Sequence, residues 1–239
     1  MTSPSQTPKT LRIHGPIISS SDVERHIALF AAFGLEEIGR LERTAPETSE
    51  IWGTQDQESL EVTLQTPGTQ FGVRLIQFSP GTDFQIRNPA RGSDSNALKV
   101  IDFYAPDLDA AMAEIEKSGF RFKAEVADYD TPEGRFREAH LWGPDGVVCA
   151  LISGDPDRFE SLATVRDRLV SEPQSISGPV QDQEPTLSFL EDAFGLEVIH
   201  RYGLDDESFD ALVGSADSMK LRAWNVGTKT SEPYFGIIN

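Results

Sequence analysis

One stretch of this chain is written twice, and the repeat constrains the fold more than any other feature. Residues 32–40 read AFGLEEIGR and residues 193–201 read AFGLEVIHR, so seven of nine positions are identical. The likeness extends outward, because HGPI at 14–17 precedes the first copy and SGPV at 177–180 precedes the second. Such repetition indicates one supersecondary unit used more than once, with each copy burying its apolar face against a neighbour.

The first unit is predicted to be a strand, a helix and then three strands. An apolar-rich stretch at 11–18 is followed by Ser21 or Asp22, either of which is a good helix N-cap, and the helix ends at Gly34. Strands are expected near residues 35–41, 60–64 and 71–78, because Pro-Gly turns separate these apolar runs.

The same order begins again after a polar segment at 80–96, which we interpret as a linker. Asp107 is expected to cap the second helix, and GPDG at 143–146 predicts a tight hairpin. The second unit's strands are predicted over 98–104, 120–126, 135–142 and 147–152. A third copy begins near residue 176, with a helix over 184–194 and strands near 196–202, 209–213 and 220–225. The final residues, 234–239, read as the opening strand of a fourth unit.

These patterns divide the chain into four parts and place it in the α+β class. Residues 1–10 are predicted to be a disordered tail, because they are rich in Ser, Thr and Pro. Residues 11–155 are expected to form two paired units, at 11–80 and 97–155. A connector helix is expected over 156–171, and 172–239 is expected to be a third, partial unit.

Charge and composition exclude several classes of partner. The formal net charge of −18 argues against nucleic acid and anionic membranes, since both require a positive field. No apolar run approaches the roughly 20 residues that cross a bilayer, and the N-terminal residues lack the apolar core of a signal peptide. The single cysteine, Cys149, lies in an apolar run and is predicted to be a buried small hydrophobe. We therefore expect a cytoplasmic protein.

Tandem strand–helix–three-strand units, a helix ending in FGLE and a GPDG hairpin together resemble the vicinal oxygen chelate superfamily. That superfamily includes glyoxalase I, bleomycin-resistance proteins and extradiol dioxygenases. The resemblance extends from Leu11 to the end of the chain. It implies tandem βαβββ modules, two of them paired into a curved, open, mixed-sheet cup around a small ligand, with a third C-terminal module beside them.

The resemblance also implies positions for the family's metal ligands, which fall on His14, Gln77, Val100 and Ala150. Val100 and Ala150 cannot bind a metal, and two protein ligands are too few for tight binding of Zn²⁺, Fe²⁺ or Mn²⁺. We therefore expect no metal and no other cofactor, with His14 and Gln77 as the ligands if a metal does bind.

Strand alternation indicates which polar side chains point into the cup. His140 and Asp102 could form a base and its orienting partner, able to move a proton at neutral pH. An alternative interpretation is a histidine hydrogen-bonded within the sheet. The residues expected to contact a ligand are His14, Gln77, Tyr104, Glu138 and Trp142.

Three interpretations of function follow. The first is a metal-free protein of the bleomycin-resistance type that binds a small planar or aromatic molecule in an apolar cup. The second is an enzyme, either a divalent-metal lyase, isomerase or dioxygenase that uses Fe, Mn or Zn, or a metal-free one that uses His140 and Asp102. The third is a role in assembly. An odd number of modules predicts a homodimer through the third module.

Overall fold

A computed structural model describes residues 12–82, 84–86, 92, 100–123, 125–132, 134–159, 163–215, 217–229 and 232–239. The tail predicted at 1–10 and most of the linker predicted at 80–96 lie outside the described residues. Within the described residues, no helix is both long enough and apolar enough to span a membrane.

Three modules follow one another along the chain, each containing four strands and a long helix. The first consists of β1 (Ile17–Ser19), α1 (Val23–Ala32), β2 (Glu36–Arg43), α2 (Ala45–Trp52), β3 (Glu58–Gln65) and β4 (Gly72–Ser79). The second consists of β5 (Val100–Tyr104), α3 (Leu108–Lys117), β6 (Ala127–Thr131), β7 (Gly134–Trp142) and β8 (Val148–Ser153). After the short α4 (Pro156–Phe159), the third consists of β9 (Pro173–Pro179), α5 (Gln183–Phe194), β10 (Glu197–Leu204), α6 (Glu207–Val213), β11 (Leu221–Gly227) and β12 (Tyr234–Ile238).

The long helix of each module begins after an aspartate N-cap. Asp22, Asp107 and Asp182 each accept a hydrogen bond from a backbone N–H in the first turn of the helix that follows. A side-chain oxygen at this position satisfies a donor that the helix itself leaves unpaired. The caps predicted at Asp22 and Asp107 are thereby confirmed.

The strands form two sheets. A four-stranded sheet has the order β1-β4-β3-β2, and an eight-stranded sheet has the order β10-β11-β12-β9-β5-β8-β7-β6. In every module the first strand runs parallel to the last, and β5 joins the second and third modules by pairing antiparallel with β9. The predicted α+β fold of tandem modules, two of which share a curved mixed sheet, is confirmed.

The modules that share a sheet differ from the expected pair. The first and second modules were expected to pair, whereas hydrogen bonds join the second and third, and the N-terminal module forms the separate sheet. The physical reason is that the first two modules associate through a shared apolar core and not through strand pairing. Their buried residues form one core, in which the rings of Phe33 and Phe103 lie 4.8 Å apart. Because β9 pairs with β5, the first strand of the third module is not free to pair with a second chain. The homodimer expected through this module stays a prediction.

The third module is complete, which corrects two predictions. Residues 234–238 form its last strand, parallel to β9, rather than the start of a fourth unit. Residues 207–213 form α6 rather than a strand. Asp206 caps this helix, and Phe209, Leu212 and Val213 bury one helical face.

Two further predictions fail in the second module and the connector. The strand expected over 120–126 lies instead at β6, and Phe122 contributes only an isolated bridge to Leu141. Of the predicted connector helix, the described residues contain only α4, and residues 163–171 are not helical. The buried carboxylate of Glu172, just after that segment, accepts the backbone N–H groups of Thr164 and Val165, which a helix would direct to carbonyl oxygens.

The hairpin predicted at 143–146 is confirmed, and it also ties the first two modules together. Pro144–Gly146 forms a single 3₁₀ turn between β7 and β8, with Asp145 in a left-handed conformation at φ 53°. Its carboxylate accepts hydrogen bonds from the backbone N–H and the hydroxyl of Ser21, at 2.8 and 2.6 Å. Cys149, on β8, is fully buried as expected, and burial raises the pKa of its thiol well above the ordinary value.

Candidate functional site

The concave face of the eight-stranded sheet encloses a cavity of about 470 Å³. Both the second and the third module line it, and α6 covers its open side. The ring of Phe209 on α6 meets that of Tyr129 on β6 edge-on, with centroids 5.7 Å apart. The Asp128 backbone N–H also donates to Ser208 Oγ on α6, at 3.1 Å. The pairing of two modules therefore creates this space.

Four strands present one row of side chains to the cavity. Across the sheet, His140 lies opposite Ala150, Ala150 opposite Asp102, and Asp102 opposite Ser175. Neighbouring strands are about 4.8 Å apart, so His140 and Asp102 lie two strands apart with a small residue between them. The polar residues that line the cavity around this row are Asp102, Glu138, His140, Gln174, Ser175 and Ser177.

Asp102 is the carboxyl group at the seam between the two modules. It accepts hydrogen bonds from the hydroxyls of Ser175 and Ser177, the latter at 2.9 Å. Gly236 lies opposite Ser177, and a Cβ at that position would collide with the Ser177 hydroxyl. Burial, followed by the negative charge of Glu138, raises the pKa of Asp102 to about 7, although both hydroxyls act in the opposite direction. The group can therefore hold or release a proton near neutral pH.

Glu138 connects two other groups of the site. Its carboxylate accepts the Tyr129 hydroxyl at 2.7 Å on one oxygen, and its other oxygen lies 2.8 Å from His140 Nε2. Burial and the Glu138 charge raise the pKa of Tyr129 well above its usual value, so the phenol keeps its proton. The residue that orients His140 is therefore Glu138 and not Asp102, as the sequence analysis had expected.

Two buried polar atoms of this site have no hydrogen-bond partner among the described residues. They are Nδ1 of His140 and Nε2 of Gln174. Both residues are 2% exposed and both line the cavity. A buried polar group normally has a partner, so atoms of this kind indicate where a bound molecule would form hydrogen bonds.

The other residues predicted to bind ligand lie outside this cavity. Gln77 accepts the backbone N–H of Val23 and so helps to cap α1. The His14 carbonyl accepts the Gly72 N–H within the first module. Tyr104 is buried against Ala163, and the ring of Trp142 receives the Lys123 ammonium at 3.8 Å. The structure thus brings together Asp102, Glu138 and His140 and separates them from the remaining four.

The residues of the cavity do not fit the metal centre that the fold family implies. Among the described residues, no group of three or more His, Cys, Asp or Glu side chains could hold a metal ion. Around Asp102 the nearest polar groups are serine hydroxyls that donate to its carboxylate, and Ala150 occupies a position expected to carry a ligand. Among the described residues, Asp102, Glu138 and His140 do not converge into one ligand group, whereas tight sites use three or four ligands.

The third module's contribution to the site was missed by sequence reasoning. Gln174, Ser175 and Ser177 lie on β9, and Tyr202 and Tyr234 lie on strands of the same module. Alternation along β9, once its start is moved from residue 176 to 173, would have placed both serines on the inner face. For Tyr234, burial and the nearby Asp102 raise the phenol pKa above the usual value.

Comparison with known proteins supports the fold. No protein-family model and no curated protein matches the sequence. Among solved structures, the chain is similar to glyoxalase I from Zea mays, with 16% identity and a TM-score of 0.62, over 95% of this chain and 67% of that one. It is also similar to a glyoxalase family protein from Bacillus cereus, with 21% identity and a TM-score of 0.55, over 62% of this chain and 97% of that one. The chain thus has the fold of the vicinal oxygen chelate superfamily and spans about two thirds of the maize enzyme's length.

Proposed function

We propose that this chain, built on the fold of the vicinal oxygen chelate superfamily, binds a small planar or aromatic organic molecule in the cavity between its second and third modules. The observation that carries the proposal is the cavity itself, about 470 Å³ in volume. Its size lies within the usual range for small-molecule sites. Binding of this kind requires no metal, which agrees with the poor donor set around Asp102.

The cavity lining supports a flat apolar ligand. Aromatic side chains from both modules contribute to the wall, and among them Tyr129, Phe136 and Phe209 surround the side that α6 covers. Aromatic rings prefer offset or edge-on contact with another ring, so such walls favour a planar partner. Buried polar groups cluster around the row of His140, Asp102 and Ser175, and the aromatic wall lies beside them.

A titration with 2-ethylnaphthalene tests this proposal. Its ring system is planar and it has no hydrogen-bonding group, so it can bind only through apolar contacts. Its intrinsic fluorescence reports the binding. We expect saturable binding to the wild type and a loss of at least about tenfold in affinity in Val100→Trp, because the indole would fill the cavity. The matched control is Ile38→Trp, on the exposed surface of the first module. Equal affinity in both variants, or no saturable binding to the wild type, would contradict the proposal.

The polar row supports a second function, metal-free proton transfer. His140 Nδ1 is a candidate base, because Glu138 occupies the other ring nitrogen, and Asp102 carries a carboxyl group whose pKa is raised to about 7. In a bound ketone, Nδ1 would take a proton from the carbon next to the carbonyl while the Asp102 O–H donates to the carbonyl oxygen. The product is an enol, and the reverse steps return a proton to carbon.

Exchange of the acetyl protons of 2-acetylnaphthalene in D₂O tests that step. We expect ¹H NMR to show faster loss of the methyl signal with the wild type than with His140→Phe, whose affinity for 2-ethylnaphthalene should be retained. The Ile38→Trp variant should exchange at the wild-type rate. Identical rates in wild type and His140→Phe would eliminate the catalytic candidate and leave the binding function standing.

A further inference from the structure

Gln174 is the unopposed residue of a β-bulge. In the pairing of β5 with β9, Asp102 lies opposite Ser175, but Phe103 lies opposite Pro173, so Gln174 has no opposite residue. A bulge of this kind turns a side chain away from the regular alternation of the strand. Here the side chain lines the cavity and is 2% exposed, and its Nε2 has no partner among the described residues. The bulge therefore directs an unpaired N–H donor into the site.

His140 supplies the complementary group. The Glu138 carboxyl group accepts the Tyr129 hydroxyl, and its other oxygen lies 2.8 Å from His140 Nε2. With the Nε2–H donating to that oxygen, the lone pair of the neutral imidazole is at Nδ1. That atom is buried, faces no partner among the described residues, and belongs to a residue that lines the same cavity. The site thus contains one unused donor and one unused acceptor on opposite modules.

The charges around the cavity restrict the ligand further. The carboxyl groups of Asp102 and Glu138 are enclosed within it, whereas Lys220 is exposed at its rim. Like charges repel strongly where solvent screening is weak, so an anion is disfavoured near the polar row.

From these observations we infer that the ligand is an uncharged planar molecule that presents a hydrogen-bond acceptor, such as a carbonyl, to Gln174 and a hydroxyl or N–H donor to His140. The inference rests on the proposed binding function and specifies the class of molecule bound. Satisfying both atoms at once favours a compound that carries its acceptor and donor at separate positions on the ring system.

A matched series of naphthalenes tests the inference. The compounds are 6-acetyl-2-naphthol, which has both groups, 2-naphthol, which has only the donor, 2-acetylnaphthalene, which has only the acceptor, and 2-ethylnaphthalene, which has neither. In the wild type we expect 6-acetyl-2-naphthol to bind about tenfold or more tightly than either single-group compound, because a buried polar atom left unpaired weakens binding by that order.

The variants assign each preference to one residue. In Gln174→Leu, 6-acetyl-2-naphthol and 2-naphthol should bind equally, because the acetyl group has lost its donor. In His140→Phe, 6-acetyl-2-naphthol and 2-acetylnaphthalene should bind equally. Gln183→Leu, in α5 of the same module, should keep both preferences. Gln174→Met and His140→Leu replace the first two variants if these fail to fold, as judged by circular dichroism.

The outcomes distinguish this inference from the proposed binding function on which it rests. If 2-ethylnaphthalene binds but the wild type shows no preference among the polar compounds, the inference is overturned and the binding function stands. If either preference persists in the variant that should abolish it, the residue assignment is overturned. If none of the four compounds binds the wild type, both are overturned.

Discussion

The first module and the pair formed by the second and third differ in what their inner faces meet. Five residues before the N-cap aspartates Asp22, Asp107 and Asp182 lie Ile17, Asp102 and Ser177, one in each first strand. Asp102 and Ser177 lie diagonally across the seam, and the Ser177 hydroxyl donates a hydrogen bond to the Asp102 carboxyl group. Ile17 occupies the equivalent place on β1, the end strand of its sheet, and is 54% exposed. The same unit therefore forms an enclosed polar centre only where two modules pair.

The short helices that follow the second strands show the same contrast. Both α2 and α6 end at a left-handed glycine, Gly53 and Gly214, so Ile51 and Leu212 occupy equivalent positions two residues earlier. Leu212 is 4% exposed in the apolar cluster that joins α6 to β6, whereas Ile51 is 49% exposed. Burial of this helix face thus depends on a neighbouring module. A cavity is a property of the pair, and a single module supplies half of it.

The largest effect expected from this contrast is on stability. Leu212→Ala should lower the free energy of unfolding by about 2–5 kcal/mol, because it removes buried methyl groups and leaves a cavity. Ile51→Ala, at the equivalent exposed position, should cost under about 0.5 kcal/mol. Urea unfolding of both variants measures the difference. Similar losses in the two would show that α2 and α6 have equivalent surroundings in solution.

A smaller, pH-dependent effect is expected at Asp102, where the first strands of the three modules carry different residues. The pKa of Asp102 is raised from 3.8 to about 7, so its contribution to stability is present below pH 3.8 and is lost as the pH rises towards 7. Between pH 5 and 7 the wild type should lose up to about 2–3 kcal/mol relative to Asp102→Asn.

Urea unfolding of both proteins at the two pH values measures this loss. The control is Ile17→Asp, which places the same side chain at the exposed equivalent position and should change stability little and by the same amount at both pH values. A constant difference between wild type and Asp102→Asn from pH 5 to 7 would contradict the raised pKa.

The repeat predicted the module but not the way modules combine. Asp22 and Asp107 were identified as caps because local hydrogen bonding is encoded within a few residues. Three similar modules, however, present three similar first strands, so strand pattern alone does not indicate that β5 pairs with β9. The helix faces hold that information. In α1, Leu29 and Phe30 are fully buried in the core that the first two modules share, whereas Phe189 of α5 is 59% exposed.

The site was predicted in part for a related reason. Asp102, Glu138 and His140 were found because alternation along a single strand places side chains on one face. Glu138 rather than Asp102 orients His140, since i and i+2 neighbours on β7 are closer than residues two strands away. Gln174 could not be found by alternation, because the bulge that directs it inward interrupts that pattern. Alternation also selected Gln77, but Gln77 belongs to a module whose inner face is not part of the cavity.

The depth at which Cys149 lies has a practical consequence. Its thiol is fully enclosed and its raised pKa keeps it protonated, so alkylating reagents have no native nucleophile of this kind to attack. It is also the chain's only cysteine. A cysteine engineered on the surface would therefore be the single position that accepts a maleimide dye. With two such cysteines, one on the first module and one on the shared sheet, donor and acceptor fluorophores could be attached without first removing a native residue. The distance between the first module and the shared sheet could then be followed in solution.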